Sequence, residues 1–125
     1  MPVPRITKDE LKQRLDSPDP AERPTVIDAR LKYPYEHSAV KLPGALRVSP
    51  QVLDTTAIPR AKDVVAYDSD PEEIVSSRVA AELIRHGFRA SALKGGIAEW
   101  MAASYPVETK ERPHPAPPET GAAKA

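Results

Sequence analysis

Short apolar runs that alternate with a strongly amphipathic segment constrain the fold more than any other feature of the sequence. Thr25–Ala29, Asp63–Tyr67 and Ala90–Leu93 have the length and polarity of buried strands. Between the last two, Glu73–His86 repeats apolar residues every 3.6 positions, and Gly87 supplies the helix stop. Strands alternating with helices indicate parallel β-α-β units, with helices on both faces of the sheet. We therefore expect an α/β fold, a three-layer α/β/α domain with a central, mainly parallel sheet of about five short strands.

The helical segments also indicate which of their faces should be buried. Near the start of the chain, Thr7 and Glu10 have the spacing of a capping box, in which each side chain bonds a free amide of the first turn. Leu11 and Leu15 then lie on one face of a short amphipathic helix. In the later, longer helix, the positions expected to face the core are Ile74, Val75, Val79, Ala80, Leu83 and Ile84.

The remaining elements are shorter and their signals are weaker. Pro43 and Gly44 form a turn, and Ala45–Val48 follows it as a second strand. Ile97–Ala103 is predicted to be the last helix. Arg30–Leu42 is polar and without periodicity, so we expect a long loop there.

Composition divides the chain into a domain and a tail. A length of 125 residues fits one domain, which we place at residues 5–108. Residues 109–125 are rich in proline and alanine and have no large apolar side chain, so we expect a disordered tail. No apolar run approaches the roughly 20 residues of a membrane span. The sequence also begins without a secretory signal pattern, and we expect a cytoplasmic protein without membrane contact.

Charge and cysteine content exclude several classes of function. Eighteen basic and eighteen acidic side chains cancel, so the basic surplus typical of nucleic-acid binding is missing. The chain has no cysteine, which excludes disulfides, cysteine-bound zinc, iron–sulfur clusters and every reaction that uses a protein thiol. The histidines His37, His86 and His114 are far apart in sequence, and we expect neither a metal nor a cofactor.

The segment between the third clear strand and the long helix is where we expect a functional site. In open α/β sheets, ligands bind beyond the carboxyl ends of the strands, often at a helix N-terminus. The loop there consists of Asp68, Ser69, Asp70, Pro71, Glu72 and Glu73. Its pattern predicts a helix start, with Asp70 as N-cap, Pro71 at the first helical position and Glu73 completing a capping box.

Asp68 is the residue of this loop that helix capping does not explain. It stands at the end of the strand, where a side chain points into the ring of loop amides. A carboxylate there could accept several backbone hydrogen bonds, which would lower its pKa. It would then fill with its own charge a pocket that otherwise suits an external anion.

Three stretches of the sequence resemble the single-domain rhodaneses, which have the sulfurtransferase fold. The resemblance covers about residues 5–108 and lies in motifs that occur in the family's order. The first motif is Val26–Arg30 followed by Leu42–Ala45. The second is Val65–Asp68 followed by Ser76, Arg78, Val79 and Ala80. The third is Leu93–Trp100 followed by Tyr105–Val107.

The departures from the family pattern decide what the resemblance implies about function. Active rhodaneses have a cysteine at the position of Asp68, and it carries the transferred sulfur as a persulfide. In the subtype with a Cys-x-Cys-Pro loop, the second cysteine position corresponds to Asp70, and the family's histidine before Ile-Pro-Gly-Ala is Lys41 here. A carboxylate cannot attack a sulfane sulfur and hold it, because that bond needs a thiolate. The resemblance therefore implies a catalytically inactive homologue.

The other family-motif positions have structural interpretations. We expect Asp28 and Arg30 to pin a strand end, and Trp100 to anchor the core. Ser76 should bond the backbone or lie on the helix surface, and Arg78 should form an ion pair. Turns that need glycine or proline account for Pro43, Gly44, Gly95 and Gly96.

The main functional hypothesis is a binding or regulatory module, with a protein partner or a second copy docked at the acidic loop. One alternative is a magnesium-dependent phosphatase-like hydrolase that uses Asp68 and Asp70, although its expected downstream aspartate pair is not evident. Another is a divalent-cation loop that adds Glu72 and Glu73 to these two aspartates. A last alternative is a sulfurtransferase descendant that retains only affinity for oxyanions.

Overall fold

A five-stranded sheet, parallel throughout, runs through the protein. The computed structural model describes residues 3–69 and 73–110. In chain order the strands are β1 (Arg5–Ile6), β2 (Thr25–Asp28), β3 (Val40–Lys41), β4 (Leu46–Arg47), β5 (Val64–Tyr67), β6 (Ala90–Leu93) and β7 (Glu108–Thr109). The main sheet has the order β1-β6-β5-β2-β4, and β3 pairs with β7 in a separate antiparallel ribbon. The expected α/β fold is confirmed.

Helices cover both faces of this sheet. The α-helices within the described residues are α1 (Lys8–Leu15), α2 (Lys32–His37), α3 (Ile74–Arg85) and α4 (Gly96–Ala102), and of these α1, α3 and α4 contribute to the cores. Because successive strand residues point to opposite faces, β5 contributes to two separate cores. Val64 and Ala66 pack with Leu83 of α3, whereas Val65 and Tyr67 pack in the other core with residues of α1 and α4. The result is the predicted three-layer arrangement.

The first helix follows its sequence signal closely. The amide of Glu10 donates to Thr7 Oγ1 at 3.1 Å, and the amide of Thr7 donates to Glu10 Oε1 at 3.0 Å. The predicted capping box is therefore present. Leu11 is fully buried, and Leu15 packs partly buried against the same core.

The segment predicted as a long loop, Arg30–Leu42, contains α2 and β3, so that prediction was wrong. Helix α2 buries none of its residues, and β3 has only two, which explains why neither leaves an apolar pattern. The partner strand β7 crosses the predicted domain boundary at residue 108, and the amide of Lys110 donates to the carbonyl of Ala39 at 2.9 Å. The rest of the predicted tail, residues 111–125, lies outside the described residues.

Two of the apolar positions predicted to face the core from α3 do not. Ile74 is 56% exposed and Ile84 is 41% exposed. The buried apolar residues of this helix are Val75, Val79, Ala80 and Leu83. At about 100° of rotation per residue, Ile74 and Ile84 lie more than about 100° from the centre of that stripe, which a single sheet face cannot cover.

No helix within residues 3–69 and 73–110 combines the length and the apolar character that crossing a bilayer would require.

Removing the capping box should weaken the domain measurably. Thr7→Ala deletes the oxygen that accepts the Glu10 amide, and loss of such a cap costs about 1 kcal/mol. For a domain of this size, the melting temperature should fall by about 4–8 °C. Gln13→Ala, an exposed change on the same helix, is the control and should leave the melting temperature nearly unchanged. Equal melting temperatures for Thr7→Ala and the unmodified protein would contradict this assignment.

Candidate functional site

The side chain of Asp68 is enclosed at the carboxyl end of β5. It follows the last strand residue directly and is 1% exposed. Its Oδ2 accepts a hydrogen bond from the backbone amide of Ser76 at 2.6 Å. Ser76 is the third residue of α3, so this amide is one of those that a helix cannot pair internally. The carboxylate of Asp68 therefore caps α3 from the strand rather than from the helix's own first residues.

The start of α3 differs from the sequence prediction. The helix begins at Ile74, and Glu73 occupies the N-cap position with a left-handed φ of 63° and without a side-chain capping bond. The assignments of Asp70 as N-cap and Pro71 as first helical residue are therefore wrong, as is the capping box through Glu73. Asp68 already supplies the acceptor at the third amide, which leaves the Glu73 side chain to bond elsewhere. Positions 70–72 themselves lie outside the described residues.

Glu73 joins three separate parts of the chain. Its carboxylate accepts a bidentate pair of bonds from Arg5, at 2.6 Å from Nε and 2.7 Å from Nη2. The amide of Gly95 adds a third bond, at 3.0 Å to Oε2. Gly95 reaches this position with a φ of +81°, which favours glycine. The bonds from Arg5 chiefly hold the pKa of the Glu73 carboxyl below its usual range, so Glu73 is a buried anion already matched by a cation.

A second buried ion pair holds the end of the neighbouring strand β2. The guanidinium of Arg30 donates to both Asp28 oxygens, at 2.9 and 2.6 Å, and also to the carbonyl of Val40 at 2.9 Å. Beside it, the Tyr67 hydroxyl accepts the amide of Leu42 at 3.2 Å. Burial, and then the charge of Asp28, raise the pKa of Tyr67, which therefore stays neutral. These contacts give Asp28 and Arg30 a structural role at the strand end.

The remaining predicted positions have mixed roles. Ser76 is fully buried, and the indole of Trp100, also buried, donates to the carbonyl of Pro106 at 2.8 Å. Gly44, in the turn after Pro43, and Gly96 both have positive φ values, as expected of glycine turns. Arg78 is exposed and forms no ion pair with any residue of the described segments, so its expected ion pair stays a prediction. Ser69 is partly exposed beside Asp68.

The geometry limits what the acidic loop can do chemically. A nucleophilic or metal-binding carboxylate needs an accessible oxygen, whereas Asp68 is buried and bonded to Ser76. Both oxygens of Glu73 are bonded to Arg5. Residues 3–69 and 73–110 contain no group of three or more side chains arranged to hold a metal ion. The other two carboxylates suggested for a cation loop, Asp70 and Glu72, lie outside these ranges.

Sequence reasoning missed Arg5, which is half-exposed yet pairs with a residue 68 positions later. It also missed Tyr35 and Lys110, whose side chains meet at the end of β2. None of these residues belongs to a local motif. Their only sequence signal is chemical type, and type alone does not identify a partner distant in sequence.

Comparison with known proteins agrees with this architecture. The family model of the rhodanese-like domain matches residues 7–103. The solution structure of the rhodanese-like domain of an Anabaena protein superposes with a TM-score of 0.70 at 26% identity, covering 94% of this chain and 89% of that one. A rhodanese-like domain protein from Staphylococcus aureus shares the fold, with a TM-score of 0.68 at 21% identity and coverage of 87% and 100%.

A curated relative matches over a shorter region. A tRNA sulfurtransferase of Desulfurococcus amylolyticus is 38% identical over 77 residues, which is 62% of this chain. The matched region spans only 15% of that protein. The similarity is therefore confined to a small part of the Desulfurococcus protein, which is much longer than this chain.

Removing the Asp68 carboxylate should destabilise the start of α3. In Asp68→Ala the buried amide of Ser76 loses its acceptor, which costs about 1–3 kcal/mol of unfolding free energy. Denaturant unfolding measures this loss, and hydrogen exchange at the Ser76 amide should become faster. Asp68→Asn, which keeps an acceptor oxygen, is the matched variant and should lose less stability. Unchanged stability and unchanged Ser76 exchange in Asp68→Ala would show that the carboxylate is not the cap.

The ion pair of Glu73 should make stability depend on pH in a defined direction. Because the folded state lowers the pKa of Glu73 below its ordinary value of 4.5, the stabilisation is complete above that value. It is lost as the pH falls through the lower, folded-state pKa. Glu73→Gln should therefore be less stable than the unmodified protein at pH 7, and the difference should shrink as the solution becomes strongly acidic.

Denaturant unfolding across this pH range measures the difference, with exposed Glu22→Gln as the control. A difference between Glu73→Gln and the unmodified protein that stays constant from neutral to strongly acidic pH would contradict the assigned ion pair.

Proposed function

This chain belongs to the rhodanese-like domain family, and because it has no cysteine we propose that it is a member without sulfurtransferase activity, serving as a binding or regulatory module. The observation that carries the proposal is the buried carboxylate of Asp68, bonded to the Ser76 amide at the end of β5. By family resemblance this is the position of the persulfide-forming cysteine.

The chemistry of sulfur transfer supports this proposal. A sulfane sulfur passes from donor to protein when a thiolate attacks it, forms a sulfur–sulfur bond and expels the donor's leaving group. A carboxylate oxygen offers no such bond, and the thioethers of the two methionines cannot replace a thiolate. The sulfurtransferase activity named for the Desulfurococcus relative is therefore not carried over to this chain.

The loop itself supports a role in protein recognition. Asp70 and Glu72 add negative charge beside Asp68 in the sequence, and Ile74, directly after the loop, is 56% exposed. An apolar side chain beside acidic residues suits a protein segment that carries basic and apolar side chains together. Such a segment could belong to another protein or to a second copy of this chain. Sedimentation of the pure protein over a range of concentrations separates the two cases.

The two other chemistries considered for the loop receive less support. A phosphatase-like mechanism needs Asp68 as an accessible nucleophile, whereas its side chain is 1% exposed. A cation loop needs Glu73, whose oxygens are bonded to Arg5. A balanced charge of eighteen basic and eighteen acidic residues also gives no support to nucleic-acid binding.

Incubation with thiosulfate, followed by intact-protein mass spectrometry, tests the proposal directly. The protein should remain at its original mass and should produce no thiocyanate from thiosulfate and cyanide above a buffer blank. Asp68→Cys is the matched variant, since it places a thiol at the same position beside the Ser76 amide, and it should gain an adduct of about 32 Da, one sulfur atom. An active sulfurtransferase confirms that the donor is competent. A sulfur adduct on the unmodified protein would overturn the proposal.

A further inference from the structure

A small pocket lined by basic side chains lies at the same edge of the sheet as Asp68, where β2 and β4 end. Its volume is about 160 Å³, and its lining consists of Asp28, Tyr35, Lys41, Ala45, Arg47 and Lys110. Pockets for drug-sized ligands are larger, at about 300–1,000 Å³. The pocket therefore suits a small ion.

The charges around the pocket do not balance. Lys41, Arg47 and Lys110 face one carboxylate, that of Asp28, which already receives two bonds from Arg30. Glu108 lies 3.9 Å from the Lys41 ammonium, but it is half-exposed and also accepts the amide of Gly44. With Arg30, Glu36 and Glu108 included, four cations stand against three carboxylates, so positive charge remains in excess.

Two of these cations, Arg47 and Lys110, lie close together against one aromatic ring, while the Lys41 ammonium donates to the carbonyl of Ala45 at 3.1 Å. The guanidinium carbon of Arg47 lies 4.1 Å from the centre of the Tyr35 ring, and the ammonium of Lys110 lies 3.9 Å from it. Arg47 is fixed further by donating to the carbonyl of Arg30 at 2.5 Å, and Lys110 by donating to the carbonyl of Tyr35. The cationic groups are therefore positioned before any ligand arrives, which lowers the cost of binding one.

The crowding of like charges affects Lys110 directly. Burial, and then the charge of Arg30, lower its pKa, while Asp28 and Glu36 act in the opposite direction. Arg47 also lowers it. An anion in the pocket would offset this repulsion, because it would lie near Lys41, Arg47 and Lys110 at once.

We propose that this pocket binds a small tetrahedral oxyanion, with inorganic phosphate and sulfate as its simplest forms. The bound anion would accept hydrogen bonds from Lys41, Arg47 and Lys110. The site is separate from the Asp68 loop, where a carboxylate of the chain itself takes the place of an anion. Anion binding at this pocket does not depend on whether the protein transfers sulfur.

Titration of the full chain with inorganic phosphate, and separately with sulfate, tests the proposal by calorimetry and by amide chemical shifts. Sodium chloride at equal ionic strength is the reference. Both oxyanions should bind in the millimolar range or tighter, with the largest shifts within residues 40–47 and at Lys110. Absence of binding in that range would overturn the proposal, and so would shifts centred on residues 68–76.

Matched charge variants locate the site. Lys110→Gln should weaken phosphate binding about fivefold, and Lys41→Gln, the second variant, should weaken it to a similar extent. Lys62→Gln removes the same charge at the opposite edge of the sheet, before the amino end of β5, and should leave the affinity unchanged. Equal affinities in all three variants would show that phosphate binds elsewhere. Sulfur transfer is measured independently, so failure of this proposal leaves that result intact.

Discussion

The hydrogen bond from the Ser76 amide to the Asp68 carboxylate determines how the carboxyl end of the central strand is closed. A helix start leaves amides without partners, and this carboxylate supplies an acceptor from β5. Glu73 is then available to bond Arg5 and Gly95, which ties the edge strand β1 and the turn after β6 to the same loop. At least two acidic side chains of this segment, Asp68 and Glu73, are therefore engaged in hydrogen bonds within the protein.

A carboxylate oxygen in place of a cysteine sulfur at the end of β5 changes the chemistry that this fold can perform. The rhodanese-like fold is complete around the loop, with its parallel sheet, its covering helices and its buried Trp100. At the end of β5, however, the chain presents a carboxylate oxygen, which cannot form the sulfur–sulfur bond of a persulfide. On the proposed function, the chain keeps the fold of the family without its persulfide chemistry.

Features with a local signal could be predicted from the sequence, whereas contacts between distant residues could not. The capping box of α1 and the buried strands β2, β5 and β6 follow from spacing and polarity within a few residues. The pairing of Arg5 with Glu73 joins positions 68 apart, and no local pattern marks it. Strands β3 and β7 have two residues each, too few for a sequence pattern, and they are defined by their pairing with each other. The prediction of Asp70 as the helix cap was wrong because Asp68, which lies outside the helix, supplies the acceptor.

A crystal structure determined from a solution rich in sulfate would test the central claim most directly. Asp68 Oδ2 should remain within hydrogen-bond distance of the Ser76 amide, and no sulfate should bind at that amide. A sulfate bound to the Ser76 amide, with the Asp68 side chain turned out to solvent, would contradict it.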